Sequence, residues 1–445
     1  MLKQWIDSHM DEQLEALRGL LRIPSVSRGE PREGMPLGKP VYDALDYTLK
    51  LARRLGFEKT RMLDGYCATV DFGEGEELLM IMAHLDVVPA GGGWQSDPFE
   101  PVERAGRLIA RGVCDDKSAA VSALYAMAAV KAAGLPMKRR VRLFLGGDEE
   151  LGWACIDRYK QTEELPAMGF TPDANYPLVN SEMGICQTRF DKPRSGSGVR
   201  IHCGTAPNVV PGEASAVLPF PAVPCEVPEG FAAEFSENTI RIRGFGGHAA
   251  HNEPTKNALQ CLLHVLAEQP LDAEDYADAT ALAALLGFDK HGEGFGLDIR
   301  DESGRLTLSP DMLRWDENGI SLTLDVRHPF SLSLQALLDR EDAVFGALGF
   351  ARTTIKETAG HFIPRDSELV SALLSVYERN IGHKAEPLTT GGGTYARAFP
   401  NSVAFGIDPE GEESECHMPN ESIALSSIRF NTVVFAEAIE KLAVK

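Results

Sequence analysis

Residues 78–89 read "LLMIMAHLDVVP", an apolar run over 78–83 that leads straight into His84, with Asp86 two places on. A continuous apolar stretch of this length, ended by polar residues, is the pattern of a strand buried on both faces, as in a sheet covered by helices. A second such run, "VRLFLG" (141–146), lies beyond the Ala-rich "KSAAVSALYAMAAVKAAGLP" (117–136), which closes with Gly134 and Pro136 as a helix does. From about 40 to 180, helical and strand-like stretches alternate in this way. That alternation predicts an α/β fold with a mixed, mostly parallel sheet flanked by helices.

After about residue 187 the texture changes. "DKPRSGSG" (191–198) is a polar joint, and "TIRIRG" (239–244) and "ISLTLDVR" (320–327) alternate with period two, reading as half-buried antiparallel strands. Helix-like stretches near 256–268 and 332–347 accompany them. We expect an inserted α+β domain over 188–358, placed between the two parts of a discontinuous first domain, 1–187 and 359–445. The second part contains "DSELVSALLSVYERN" (366–380) as a helix and "NSVAFGI" (401–407) as a buried strand.

The 65 acidic against 44 basic residues, a formal charge of −21, argue against nucleic acid or an anionic membrane as partner and favour cations. No apolar run is long enough to span a bilayer. Near the N-terminus, Met10, Leu14, Leu17 and Leu21 have helical spacing and predict an amphipathic helix ending before Pro24, not a secretory leader. The eight cysteines lie far apart with no C-x-x-C pair, which points to reduced thiols and a cytoplasmic location.

In open α/β sheets, ligands gather at the carboxyl ends of the strands. His84 and Asp86 stand at such an end; Asp115 and Asp116 lie in "RGVCDDK", Asp148, Glu149 and Glu150 in "LGGDEELGW", Asp173 in "GFTPDANYP" and His417 in "ECHMPNES". Singly these are unspecific: the Asp-Asp pair before Lys117 serves equally as a helix cap, and a Glu-Glu pair is commonly a solvated turn. Together they would be a heavy load of negative charge without a cation among them. The set divides into two metal sites, each with one private histidine and one private carboxylate, joined by a bridging carboxylate. Imidazole and carboxylate ligands suit zinc, with manganese or cobalt as alternatives. Two such ions about 3.5 to 4 Å apart share a water, lower its pKa and polarise the carbonyl it attacks. A spare carboxylate then serves as general base, and Asp86 orients the second ring nitrogen of His84. The chemistry predicted is hydrolysis.

The motifs "HLDVVP", "RGVCDDK", "GGDEELGW", "TPDANYP" and "ECHMPNE", in this order, resemble the two-metal aminoacylase, carboxypeptidase and carnosinase family of metallopeptidases. "NVVPGEA" (208–214) and "GGGTYARAFPNSVAFG" (391–406) resemble its dipeptidase V branch, so the likeness spans roughly residues 5–440. It implies that His84, Asp115 and Asp173 bind one metal and Asp115, Glu150 and His417 the other, with Glu149 as general base. It also implies a cis peptide between Asp115 and Asp116. The inserted domain would be a lid, with a histidine that stabilises the oxyanion. In "GFGGHAAHNEPTKNA" (244–258) that is His248, with His251 as the alternative. Asn208 and Arg327 would contact the substrate's carbonyl and terminal carboxylate, although Arg327 as a solvated surface residue competes with that reading. Gly391, Gly392 and Gly393, ahead of a helix-like segment, would bring backbone N–H groups to an anion.

The implied substrate is a dipeptide or short peptide, with N-acyl-amino-acid amidohydrolase or carboxypeptidase activity as the alternative. A protein that binds peptide or metal without catalysis is disfavoured by the intact metal positions and base. The long insertion, with its extra piece around 270–315, implies a monomer, and "DPEGEESE" (408–415) departs from the family pattern.

Overall fold

A computed structural model describes residues 1–27, 29–407 and 415–445. Apart from Glu415, the acidic stretch 408–415 lies outside the described residues. The chain forms two compact units: Met1–Asn180 with Ile363–Leu388 and Gly393–Lys445, and Ser181–Phe362 with Thr389–Gly392.

In the first unit the strands Lys59–Leu63, Cys67–Phe72, Arg140–Gly146, Leu78–His84, Met168–Thr171 and Ser402–Ala404 follow one another across a sheet. The first two ladders are antiparallel. The next three are parallel, as the apolar runs predict. Leu78–His84 is buried along its whole length. Leu79, Ile81 and Ala83 pack into a core with the helices Leu2–Leu21, Lys39–Arg54, Lys117–Ala133, Glu368–Ile381 and Leu425–Ala443, whereas Met80 and Met82 pack on the opposite face with Phe144, Tyr159 and Tyr395. Burial of both faces is the reason the strand reads as an unbroken apolar run. The helix Lys117–Ala133 is buried from Lys117 to Val130, so its alanines allow close packing on every side. It ends at Gly134 in the left-handed conformation, φ 62°.

The second unit is built on an antiparallel sheet in the order Ala232–Ser236, Thr239–Arg243, Glu213–Val217, Arg200–Cys203, Thr307–Asp316, Gly319–His328, Gly184–Pro193, Ala351–Thr358. Its core contains residues of the helices Ala258–Ala267, Ala273–Leu286 and Leu334–Ala347, giving the expected α+β character. One expectation fails in detail. Thr239–Arg243 alternates buried and exposed residues, but Gly319–His328 is buried at nearly every position, its polar residues included. The strand sits centrally between two others, and Asp325 and Arg327 neutralise each other on what the sequence presented as its wet side.

No disulfide joins the eight cysteines. Among the described residues, no helix is long and apolar enough to cross a membrane.

Candidate metal centre and active site

The parallel ladder pairs His84 with Gly146, so the loops that follow these two strands leave the sheet at the same level. This places His84 and Asp86 beside Asp148, Glu149 and Glu150. Asp173 lies two residues beyond the strand Met168–Thr171, and Asp115 precedes the helix Lys117–Ala133. His84 Nε2 is 2.7 Å from Asp115 Oδ1 and 3.8 Å from Asp173 Oδ2. His417 Nε2 meets the other Asp115 oxygen at 2.9 Å and Glu150 Oε2 at 3.2 Å. Asp115 therefore touches both histidines, one with each oxygen. The Asp115–Asp116 peptide is cis.

Behind this group, His84 Nδ1 lies 2.9 Å from the Asp86 carbonyl oxygen and 3.5 Å from its carboxylate. The buried Asp86 carboxylate also accepts from Ser27 Oγ at 2.6 Å and from the backbone N–H groups of Glu149 and Glu150 at 3.0 and 3.2 Å. It thus ties the His84 loop to the Glu149–Glu150 turn.

The electrostatics follow from crowding. Burial opposes a charge on His84, but Asp115 and Asp86 outweigh it and hold the ring well above the ordinary imidazole value. His417 is pushed up to about 11, chiefly by its hydrogen bonds to Asp115 and Glu150. Burial raises Asp115, but the two histidines prevail and hold it below the usual carboxylate value. Glu149 is raised well above its ordinary value by burial, with Asp173, Asp115 and Glu150 adding repulsion. Burial and the Asp115 charge push Asp173 up to about 7.

Two sets of donor atoms lie within 4.8 Å of one another: His84, Glu149 and Asp173; and His84, Asp115 and Glu150. Glu150 Oε1 and Asp116 Oδ1 are buried without a hydrogen-bond partner among the described residues. Imidazoles, gathered carboxylates and an orphaned Glu150 oxygen fit divalent cations, which would relieve the repulsion that raises Glu149 and Asp173.

Within the second unit, Asn208 and His248 lie side by side where Val209–Val210 pairs with Gly247–His248. The Asn208 amide nitrogen is 3.5 Å from His248 Nε2. His248 Nδ1 accepts the N–H of Ala250 at 3.1 Å; this contact, shorter than the 3.5 Å approach of the Asn208 amide to Nε2, selects the neutral tautomer with its proton on Nε2. Burial, then the charge of Arg327, lowers the His248 pKa and favours that neutral form. The His251 ring lies 6.1 Å away, centroid to centroid. Arg327 is 4% exposed, which overturns the surface reading. It binds Asp325 through Nε at 2.7 Å and Nη2 at 3.0 Å, and donates from Nη1 to the Gly391 carbonyl at 2.8 Å. Gly392 N–H donates to Thr390 Oγ1, and the helix-like segment after the glycines is a single 3-10 turn, Tyr395–Ala398. A Cβ on Gly393 would come within 2.8 Å of Arg397 Nε.

Comparison with known proteins gives this arrangement a family. The model of "Peptidase family M20/M25/M40" matches residues 80–441. The chain belongs to this peptidase family. A Bacillus subtilis (strain 168) protein named "Putative dipeptidase YtjP" is 34% identical over 446 residues, covering 95% of each chain. Among solved structures, the aminoacylhistidine dipeptidase of Vibrio alginolyticus has a TM-score of 0.61 at 13% identity, covering 97% of each chain. The YxeP protein of Bacillus subtilis, described as a dinuclear metal binding peptidase, has a TM-score of 0.55 at 11% identity, covering 97% of this chain and 98% of that one. The likeness to these two structures concerns the fold.

Several residues of this M20 peptidase centre escape sequence reasoning. Ser27 stands in "IPSVS" with no local mark of its bond to Asp86. Tyr395 stacks edge-on to His84, centroids 6.3 Å apart, and Gly146 makes room for it, since a Cβ there would lie 2.1 Å from the Tyr395 hydroxyl. Glu421 lies inside the quoted "ECHMPNES" motif, but only the fold reveals its partners.

Proposed function

We propose that this chain is a metal-dependent dipeptidase that hydrolyses the amide bond of short peptides at a two-ion centre. The observation that carries the reading is Asp115, whose two carboxylate oxygens each meet a different histidine in a cluster with Glu150 and Asp173. Membership of a peptidase family and relatives named as dipeptidases support the substrate class. In this reading His84, Asp115 and Asp173 hold one ion, and Asp115, Glu150 and His417 the other. The donor set suits zinc, with manganese or cobalt as substitutes. Bound there, the ions would supply the positive charge that lowers the pKa of the attacking water and polarises the scissile carbonyl.

The remaining steps belong to the chain. Glu149 takes the proton of the attacking water and passes it to the leaving amine. Asp86, through its carbonyl and carboxylate, orients His84 and the Glu149 turn. The inserted unit serves as a lid: its neutral His248 donates from Nε2 to the developing oxyanion, Asn208 binds the substrate carbonyl, and Arg327 with the 391–393 glycines receives the substrate carboxylate. We further assign a cytoplasmic monomer; sedimentation as a stable dimer at micromolar concentration would refute the monomer.

The test is amino acid release from a dipeptide panel by chelator-treated protein, before and after zinc, manganese or cobalt is restored, with N-acetylated analogues alongside. Metal-restored cleavage of dipeptides but not of acetylated forms is the expected result. Preference for acetylated compounds would make the enzyme an amidohydrolase instead.

A further inference from the structure

The buried pair Arg111–Glu421 takes no part in the proposed chemistry, yet it meets two of the three loops that carry the second ion's ligands, those of Asp115 and His417. Glu421 is fully buried. Its Oε1 accepts the N–H groups of Cys114 at 2.7 Å and Asp115 at 3.3 Å. Its Oε2 accepts Gly112 N–H at 3.2 Å and Arg111 Nη1 at 2.6 Å. The whole carboxylate is thus spent on the turn that presents Asp115. Arg111, 1% exposed, donates from Nη2 to the carbonyl oxygens of His417 and Ala90, each at 3.3 Å, and lies 5.2 Å from the Trp94 ring centroid. His417 itself has φ 65°, a left-handed conformation uncommon for a side-chain-bearing residue, and its carbonyl is one of those that Arg111 holds. One ion pair therefore clasps the loop of Asp115 to the loop of His417.

We propose that Glu421 and Arg111 are positioning residues that set Asp115 and His417 at the spacing a divalent ion requires, and so determine the affinity of that ion. The proposal rests on the reading of Asp115 and His417 as ligands. Groups that orient metal ligands typically change affinity about 10- to 100-fold when altered. A neutral amide cannot match the carboxylate here, because every donor around Glu421 needs an acceptor. Lysine cannot replace Arg111, because a single ammonium lacks the planar fork that reaches Glu421 and His417 together.

The experiment measures zinc affinity and stoichiometry by competition with a chromophoric chelator, on the full chain, for wild type, Glu421→Gln, Arg111→Lys and Asp115→Asn. The expected result is that Glu421→Gln and Arg111→Lys fold, as judged by circular dichroism, and bind one of two zinc ions about 10- to 100-fold more weakly. Should Glu421→Gln not fold, Arg111→Lys decides. Unchanged zinc affinity in the folded variants, or failure of both to fold, makes the pair structural and overturns the proposal. If Asp115→Asn binds zinc like wild type, the ligand assignment itself has failed; if it loses zinc while the other two keep it, only the positioning role has.

Discussion

The two units bury carboxylates in opposite ways. In the second unit, Glu341 and Asp311 are both fully buried, each with one oxygen bonded to a neighbouring hydroxyl and the other without a partner among the described residues. Burial pushes Glu341 up to about 8 and Asp311 to about 9, so each keeps its proton at neutral pH. In the first unit, Asp115, Glu149, Glu150 and Asp173 crowd around His84 and His417, and Asp115 stays ionised between the two rings. An isolated buried acid can solve its problem with a proton; a crowded set with imidazoles at ligand distance is built for a cation. The difference separates a structural acid from a functional one more sharply than burial does.

The comparison can be broken most directly by removing metal. Chelation should abolish dipeptide hydrolysis and zinc should restore it, whereas full activity in chelated protein would remove the need for a cation among the crowded acids. Next in size, Glu149→Gln should lower kcat by about 10³-fold with both ions retained, because in the proposed function the carboxylate moves protons and is not a ligand. Metal analysis beside the rate measurement checks this, and loss of an ion would return Glu149 to the ligand set. His248→Ala should reduce kcat by roughly 10²-fold at unchanged metal content, the cost of one oxyanion donor. His251→Ala producing that loss instead would transfer the role.

The last effect is on stability, not on turnover. Glu341 has a folded-state value raised above its ordinary 4.5 to about 8, so the folded chain binds the proton more tightly than the unfolded one. Its contribution is fully present below the ordinary value and is lost as pH rises through about 8. Glu341→Gln should therefore flatten the pH dependence and raise stability at pH 8 by roughly 4 kcal/mol, with little change near pH 4. Urea unfolding at the two pH values measures it; equal effects at both would show that the group stays ionised when buried.

The parts legible in the chain were those with a local signature. The runs at 78–83 and 141–146, the alanines of 117–133 and the helix stop at Gly134 are each marked within one element, and the strands Leu78–His84 and Arg140–Gly146 and the helix Lys117–Ala133 follow them. His84, Asp115, Glu149, Glu150, Asp173 and His417 stand in motifs at strand ends, and the fold gathers them. Arg327 was harder, because alternation in "ISLTLDVR" marks a wet face, and only the central position of its strand and the Asp325 pairing make that face dry.

Hydrophobic periodicity and turn chemistry act between neighbours in the chain, so the amino-acid order alone was enough to specify the α/β and α+β textures and the residue types suited to metal chemistry. Which carboxylate meets which imidazole depends on contacts closed over long separations. Glu421 and Arg111 lie 310 positions apart, and no local pattern tells a buried clasp from an ordinary loop acid. Folding resolves the question by removing water from both groups at once, after which a charge must find its partner within hydrogen-bond reach.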